Sequence, residues 1–476
     1  MKKSVIRIIC FLVVLAVVLG RWNDIFRFKY SDGIYCLDKF YEEKKDTVDV
    51  LILGTSHAFE NINTGTLWDE YGISSFILAG AFQPMWNSYY YLKEALKTQK
   101  PKLIVLEAYN TVFSLDYIEN AFSVKSNFGL KWSKNKIDSI LTSTPEGNRV
   151  DYVLEYTQYH NRYMDLSAED FLEEKGDKCY YEDWKGFGCN FGIQEFEVKD
   201  VSAVTDCAEM NPKTEKYYRS ILDLAQEKNI PILVVVAPYA GISEYDQSVF
   251  NSAKKIAEEK EIDFINYNLM NDEIGLNYST DIADEAHLNH RGSSKFTKCL
   301  GRVMADKYNI PNHKGDSMYD SWERHAKYLR AYIHDQELRG YSDIEKLMDE
   351  CHSSEYRLFI SVDGGASIDD STIRSELIRY GLPETEVNGT WVVEENKVIW
   401  NYSEETKEYY NISPSRDFYM TRRQNADGSF YGVITIDNMD YQKVGDGVNV
   451  LIFDKTTDCI VTSFGLDRGN NYSVVW

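Results

Sequence analysis

The sequence predicts an α/β protein in which a doubly wound parallel sheet is followed by a smaller β-rich α+β domain. The first observation is that short apolar runs such as Val48–Leu53 and Pro231–Ala237 alternate with segments of helical periodicity. Strands that alternate with helices form a parallel sheet covered on both faces. The second observation is that this alternation stops near residue 355, after which short strand-like segments and turn residues prevail.

Five strands are predicted for the sheet, each followed by a loop or a helix. They are 48–53, 74–78, 102–107, 231–237 and 262–265. Predicted helices follow Pro84 and cover 215–227 and 250–260, and a further helix ends near Tyr308. In sheets of this kind chemistry gathers where strands end, so the residues after each strand are the candidates for a functional site.

Residues 111–212 interrupt the alternation and are dense in Tyr, Trp and acidic residues. An insertion of this size at the functional edge of a sheet often forms a lid or a substrate-shaping cap. The alternative is an insertion with a purely structural role. After the last strand, a charged helical segment from Asp316 to Glu350 is expected to pack against this domain, for which we predict the bounds 30–345.

The segment 355–476 is predicted to be a separate β-rich domain. Leu358–Val362 is strand-like, a helix over Thr372–Tyr380 is expected to stop at Gly381, and short alternating segments follow. Asp427-Gly428 is typical of a hairpin turn.

The composition excludes some functions. The chain of 476 residues has 52 Lys and Arg against 75 Asp and Glu, a net charge of −23. Binding to DNA or RNA needs a concentrated basic surface, so no nucleic-acid partner is expected. The scattered cysteines have no zinc-like spacing and predict no metal site or cofactor, although Cys179 and Cys189 could pair in an oxidising compartment.

The first 29 residues resemble an export segment. Lys2, Lys3 and Arg7 precede an apolar run from Ile8 to Gly20. A basic start followed by a short apolar core is typical of a secretion signal, and no Ala-x-Ala cleavage site follows it. We therefore expect an uncleaved single-pass anchor, with a removed signal peptide as the alternative. Either places the body of the protein outside the cytoplasm.

Gly54-Thr55-Ser56-His57 follows the first predicted strand directly. A Ser at this position presents its hydroxyl at the carboxyl edge of the sheet, beside the free N–H groups of a helix start. A hydroxyl becomes a nucleophile only when a base removes its proton. Taken alone, a Ser in a strand-to-helix turn is more often the cap of the helix.

Asp284-Glu-Ala-His287 supplies the missing base after the last predicted strand. With this spacing, the Asp284 carboxylate can fix the tautomer of the His287 ring and leave the other ring nitrogen facing the serine. Both motifs stand at the predicted functional edge of one sheet. Together they predict a catalytic triad of Ser56, Asp284 and His287.

These two motifs resemble the SGNH (GDSL-like) hydrolase family over residues 46 to 310. That resemblance implies a flavodoxin-like fold and an oxyanion hole formed by the N–H of Ser56, by Gly80 after the second strand and by Asn110 after the third. Thr55 replaces the Asp of the family motif, and the usual Gly-x-Asn-Asp is absent around Asn110. Tyr109 is the alternative donor.

Four further side chains are candidates for contact with a substrate: Gln83, Tyr109, His160 and Arg162. A surface position for Gln83 and surface or packing roles for His160 and Arg162 are the alternatives. His57 is a conceivable second base, although its side chain should point away from that of Ser56. Asn289 is expected to cap or orient the helix after His287.

The resemblance to anchored members of the family implies acyl chemistry on a cell-surface polysaccharide. The expected enzyme is a serine esterase or O-acyltransferase that removes or transfers O-acyl groups, acetyl above all, with a membrane-bound acyltransferase as a possible partner. The C-terminal segment resembles the lectin-like interleukin-like EMT inducer domain, through Phe359–Val362, Gly447–Asp454 and Ser463–Asp467. A non-catalytic glycan-binding or assembly protein on a hydrolase-like fold is the alternative.

Overall fold

The computed structural model describes residues 2–28, 30–166, 170, 184–363, 371–383, 388–412, 416–470 and 472–476. The chain forms two compact units. Among the described residues, those up to Ala326 form the first unit and those from Lys327 to Trp476 form the second.

A five-stranded parallel sheet organises the first unit. Its strands are β1 (Val50–Gly54), β2 (Ser75–Ala79), β3 (Leu103–Glu107), β4 (Ile232–Val236) and β5 (Asp263–Asn266). Their order is β2-β1-β3-β4-β5, the flavodoxin-like order of doubly wound folds. Every residue of β1 to β4 is buried, as expected for strands covered by helices on both faces. The predicted fold class of this unit is confirmed.

The first unit also contains the helices α1 to α14, of which α14 extends into the second unit. They are α1 (Lys2–Phe26), α2 (Cys36–Glu42), α3 (Ser56–Asn61), α4 (Thr64–Tyr71), α5 (Met85–Ala95), α6 (Asn120–Phe128), α7 (Lys134–Ser143), α8 (Arg149–Val153), α9 (Tyr156–Tyr159), α10 (Pro212–Glu227), α11 (Glu244–Glu258), α12 (Asn271–Ile274), α13 (His290–Tyr308) and α14 (Asp320–Arg339).

Two helices begin earlier than their hydrophobic periodicity predicts, because capping residues set their start. The side chain of Asn211 accepts hydrogen bonds from the first turn of α10, which begins at Pro212. Ser243 and Asp246 form a reciprocal capping box at the start of α11, whose apolar stripe becomes evident only near Phe250.

Helix α1 is long and apolar enough, from Val5 to Phe26, to cross a membrane. Its apolar side chains between Val5 and Leu15 are exposed.

At the other end of the first unit, Trp322 of α14 is buried in the core and donates to the Ser75 carbonyl oxygen at 2.9 Å. The start of the charged helical segment, up to Ala326, thus packs in the core of the first unit as expected, whereas the segment from Lys327 to Glu350 belongs to the second unit.

The second unit is rich in antiparallel strands, as predicted. Its elements are α15 (Ile344–Glu350), β6 (Tyr356–Asp363), α16 (Ser371–Arg379), β7 (Gly389–Glu394), β8 (Lys397–Asn401), β9 (Glu408–Ile412), β10 (Asp417–Gln424), β11 (Phe430–Ile436), β12 (Met439–Asp440), β13 (Gly447–Asp454), β14 (Cys459–Asp467) and β15 (Ser473–Val475). They form a six-stranded sheet, β15-β14-β13-β6-β7-β8, and a four-stranded sheet, β12-β11-β10-β9.

Alternation along β6 divides the core of this unit into two layers. Phe359 packs between the two sheets against Phe418 and Ile434, whereas Leu358 and Ile360 face the opposite layer. That layer is covered by residues of α14, α15 and α16. The predicted hairpin turn at Asp427-Gly428 joins β10 to β11, and Gly428 has a positive φ of 90°.

The cysteines correct one expectation. Cys189 carries a free thiol, so it does not pair with Cys179, which lies outside the described residues. Cys459 is disulfide-bonded.

Candidate active site

In the turn between β1 and α3, Thr55 and Ser56 have different roles. Thr55 is the N-cap of α3, and its hydroxyl accepts a hydrogen bond from the His57 N–H at 3.2 Å. Ser56 is the first residue of the helix, so the capping role considered for it belongs to Thr55. The Ser56 hydroxyl is therefore available to a partner outside the helix.

Gly54 allows this turn to lie close to the end of the neighbouring strand. A Cβ atom at residue 54 would lie 2.9 Å from the Cβ of Glu107 and 2.8 Å from that of Ala58, closer than carbon atoms pack. The absence of a side chain at Gly54 thus sets the position of Ser56 over the sheet edge.

The loop between α12 and α13 presents Asp284 and His287 to the same edge. One oxygen of the Asp284 carboxylate accepts hydrogen bonds from the backbone N–H groups of Ala286 and His287, at 2.8 and 3.1 Å. The side chain of Asn61 in α3 accepts from the Leu288 N–H at 2.9 Å. The bonds to Asp284 fix the shape of the loop, and the bond to Asn61 ties the loop to the helix that carries Ser56.

Asn289 anchors the other end of that loop. Its side-chain oxygen caps α13 by accepting from the N–H groups of Arg291 and Gly292. Its amide nitrogen donates to the carbonyl oxygens of Gly192 and Thr280. The capping role expected of Asn289 is confirmed.

Ser56, His287 and Asp284 form a continuous hydrogen-bonded chain. The Nε2 atom of His287 lies 2.8 Å from the Oγ atom of Ser56, although the two residues are 231 positions apart. The Nδ1 atom lies 2.9 and 3.0 Å from the two carboxylate oxygens of Asp284. Burial raises the pKa of Asp284, but hydrogen bonds from His287 and the Ala286 N–H outweigh it, so the pKa lies below its usual value.

The N–H groups of Ser56 and Gly80, predicted to form the oxyanion hole, lie just past the ends of two neighbouring strands. Gly54 pairs with Ala79 in the parallel sheet, so Ser56 and Gly80 follow adjacent strand ends. Apart from bonds within the strands and helices themselves, no backbone carbonyl oxygen in the described part of the chain accepts a hydrogen bond from the N–H of Ser56 or of Gly80. Asp32 holds the Gly80 loop from outside by accepting from the Ala81 N–H at 2.8 Å.

Asn110 and Gln83 are both fully buried and contact one another. The amide nitrogen of Asn110 donates to the Gln83 carbonyl oxygen at 3.2 Å, and that of Gln83 donates to the Ser88 hydroxyl at 3.1 Å. Asn110 thus braces the Gly80 loop, and its donation to an oxyanion stays a proposal. The surface position considered for Gln83 is wrong, because the loop folds its side chain inward.

His57 and Tyr109 form an aromatic wall beside His287. Their rings stack with centroids 3.6 Å apart, and Tyr239 meets both edge-on. Burial raises the pKa of Tyr109 to about 12. Burial and the neighbouring His287 hold the pKa of His57 well below its usual value, so its ring is neutral. His57 faces this wall and not the Ser56 hydroxyl, which argues against a second base.

Arg162 has a different environment from the one predicted. Its guanidinium donates to the carbonyl oxygens of Phe26 and Arg27 at 3.0 and 2.7 Å and to the Asp170 carboxylate at 2.8 Å. The interpretation of Arg162 as a substrate ligand is therefore corrected, since these groups occupy its donors at the end of α1. The His160 side chain lies outside the described residues.

Glu60 and Asn190 are near His287 and were not predicted. A carboxylate oxygen of Glu60 lies 3.9 Å from the His287 Nδ1 atom and accepts a hydrogen bond from Asn190 at 2.9 Å. Glu60 stands four residues after Ser56 in α3, the spacing that puts two side chains on one helix face. That spacing was the available signal for Glu60; none existed for Asn190, which lies far away in the chain.

Comparison with known proteins gives only distant likenesses. No family model matches the chain, and no curated protein matches it. Among solved structures, a protein of Bacteroides fragilis NCTC 9343 described as an acylhydrolase is 11% identical, with 58% of this chain and 95% of that chain covered and a TM-score of 0.29. A GDSL-like lipase of Bacteroides thetaiotaomicron VPI-5482 is 10% identical, with 57% and 96% covered and a TM-score of 0.28. Neither likeness assigns an activity to this chain.

Proposed function

We propose that this protein is a serine esterase or O-acyltransferase that works through an acyl-Ser56 intermediate. The observation that carries the proposal is the unbroken hydrogen-bonded chain from the Ser56 hydroxyl through His287 to Asp284. This arrangement activates a hydroxyl, because the imidazole accepts its proton while the carboxylate fixes the tautomer.

The residues of the site account for each proton in the first half of the reaction. The Oγ atom of Ser56 bonds to the acyl carbon of an ester while its proton moves to the Nε2 atom of His287. The resulting oxyanion accepts hydrogen bonds from the N–H groups of Ser56 and Gly80, and each such donor contributes about 3 kcal/mol to the transition state. The intermediate then expels the alcohol, which takes the proton from His287, and acyl-Ser56 remains.

The second half of the reaction determines the type of enzyme. His287 removes a proton from the acceptor, whose oxygen attacks acyl-Ser56 and restores the serine. Water as acceptor releases a carboxylic acid, and a sugar hydroxyl yields a new ester. The partly exposed ring of Tyr109, which stacks on the buried ring of His57, suits the flat face of a sugar ring next to the acyl group.

The proposed substrate is an O-acyl, and foremost O-acetyl, group of a cell-surface polysaccharide. Helix α1 supports this proposal because an apolar helix of that length suits a single-pass anchor with the catalytic unit on the outer side. A membrane-bound acyltransferase that loads Ser56 is the proposed partner for the transfer reaction. The β-rich second unit is proposed to bind the glycan as a lectin-like module.

The test compares esterase activity of the full-length protein in detergent with that of Ser56→Ala, using p-nitrophenyl acetate. We expect Ser56→Ala to lose at least about 10³-fold in kcat, because no other nucleophile replaces the hydroxyl. Ser220→Ala is the matched control, since it removes from α10 a hydroxyl that donates to the Lys216 carbonyl oxygen of the same helix. Equal activity in wild type and Ser56→Ala would instead favour a non-catalytic glycan-binding protein.

A further inference from the structure

We propose that Glu60 is a positioning residue that shares with Asp284 the orientation of His287 and the stabilisation of its protonated form. This role rests on the proposed acyl-Ser56 chemistry. It would make the site a serine and a histidine supported by two carboxylates in place of one.

Helix α3 carries both Ser56 and Glu60 on one face. The Oγ atom of Ser56 contacts the Nε2 atom of His287, and an oxygen of Glu60 lies 3.9 Å from the Nδ1 atom. The imidazole is thus contacted from both of its nitrogens by side chains one helical turn apart. Because both residues belong to one helix, the helix fixes the position of the Glu60 backbone relative to that of Ser56.

Burial favours Glu60 over Asp284 as a source of electrostatic stabilisation. The Asp284 side chain is 47% exposed, whereas that of Glu60 is 19% exposed. Water screens an exposed carboxylate and weakens its interaction with a neighbouring charge. Asp284 therefore supplies the shorter hydrogen bond, at 2.9 Å, and Glu60 supplies a less screened negative charge.

Asn190 holds the Glu60 carboxylate in place. Its amide nitrogen donates to Glu60 at 2.9 Å, while its own side-chain oxygen accepts from the Gly192 N–H at 2.9 Å. The Asn190 carbonyl oxygen also accepts from the N–H of His290 at 2.8 Å. A carboxylate with a fixed partner of this kind loses little freedom when it stabilises an imidazolium.

The charges around Glu60 link its ionisation to His287. Burial raises its pKa, the imidazole and the Asn190 hydrogen bond lower it, and Asp284 and Asp32 raise it further, so that the pKa lies above its usual value. Lys125 lies 2.9 Å from Asp32 and compensates that charge. Protonation of His287 is thus the event that most favours an ionised Glu60, and it is the event that the acylation step requires.

The test is a double-mutant cycle on full-length protein with p-nitrophenyl acetate. We expect Glu60→Gln to lower kcat about tenfold and Asp284→Asn to lower it about 10²-fold, well below the loss of about 10⁴ typical of a triad with a single carboxylate. The double variant should lose at least ten times more than the product of the single losses, because no carboxylate then faces the Nδ1 atom.

The pH profile separates a positioning role from a merely structural one. Loss of a negative neighbour disfavours the imidazolium, so the acid limb of kcat/KM should move to lower pH by about one unit in Glu60→Gln. Glu285→Gln is the matched control, since it removes an exposed carboxylate one residue from Asp284, and it should leave the limb in place. Should Glu60→Gln not fold, Asn190→Ala tests the same carboxylate, and its acid limb should shift in the same direction.

Two outcomes overturn the proposal in distinguishable ways. The first outcome is that activity depends on Ser56, the losses in the double variant multiply, and the acid limb of Glu60→Gln or Asn190→Ala does not move. It would exclude the role of Glu60 and leave the proposed function standing. Wild-type activity in Ser56→Ala would overturn the proposed function, and the role of Glu60 with it.

Discussion

At the scale of single residues, the buried carboxyl group of Glu107 beside the site links its ionisation to the stability of the fold. Glu107 ends β3 and is fully buried. One of its oxygens accepts from the N–H groups of Tyr109 and Ala237, which joins the loops after β3 and β4. Burial raises the pKa of Glu107 to about 8, and those two hydrogen bonds offset the rise only in part.

This raised pKa predicts a stability that falls with rising pH. The folded state keeps a proton on Glu107 that the unfolded state loses above its usual pKa of 4.5, so the free energy of unfolding falls between pH 4.5 and about 8. Glu107→Gln should therefore gain stability relative to wild type as the pH rises, by at most about 1.4 kcal/mol per pH unit.

Chemical denaturation of both proteins at pH 5 and pH 8 measures this difference. Glu285→Gln, which removes an exposed carboxylate, should unfold like wild type at both values. A stability difference between Glu107→Gln and wild type that is the same at pH 5 and pH 8 would show that Glu107 is already ionised in the folded protein.

Single residues also show what the sequence could predict of the site. Ser56 stands in a short motif directly after β1, Asp284 and His287 stand in a short motif just before α13, and the structure joins the three by hydrogen bonds. Thr55, and not Ser56, caps α3 because its hydroxyl reaches the His57 N–H, a contact that the motif alone does not reveal. Asn190 approaches Glu60 only through the tertiary path of the insertion, so no local pattern could indicate it.

At the scale of elements, the insertion between β3 and β4 includes short helices that contact the end of α1. Arg162 donates to the last carbonyl oxygens of α1, and the Tyr159 hydroxyl donates to the Asn23 side chain. Unpaired carbonyl oxygens at a helix end need such donors. This contact ties the insertion to α1.

Arg162→Ala should loosen the junction between α1 and the rest of the first unit. With protein held in liposomes, we expect trypsin to cut after Arg27 several-fold faster than in wild type, because the hydrogen bonds from Arg162 to the end of α1 disappear. Arg149→Ala removes an arginine from the same insertion whose guanidinium bonds to Leu141, and it should be cut at the wild-type rate. Equal rates in all three proteins would show that Arg162 does not hold the helix end.

At the scale of the whole molecule, the fold of the first unit could be predicted from the alternation of strands and helices. The buried strands could be recognised because each is a short apolar run in the sequence. The β-rich character of the second unit was predicted from its turns and alternating segments, since a sheet with two different faces repeats every second residue. The division at Ala326 falls inside α14, where a continuous helical pattern leaves no composition change to detect.

The central claim is that Ser56 is the nucleophile of this unit. The most direct measurement is the mass of the peptide that bears Ser56 after the full-length protein has reacted with a fluorophosphonate. We expect a phosphonyl adduct on Ser56 that forms at least about 10²-fold more slowly in His287→Ala, because the proton of the hydroxyl then has no acceptor. A Ser56 peptide without adduct, under conditions that label a known serine esterase completely, would contradict the claim.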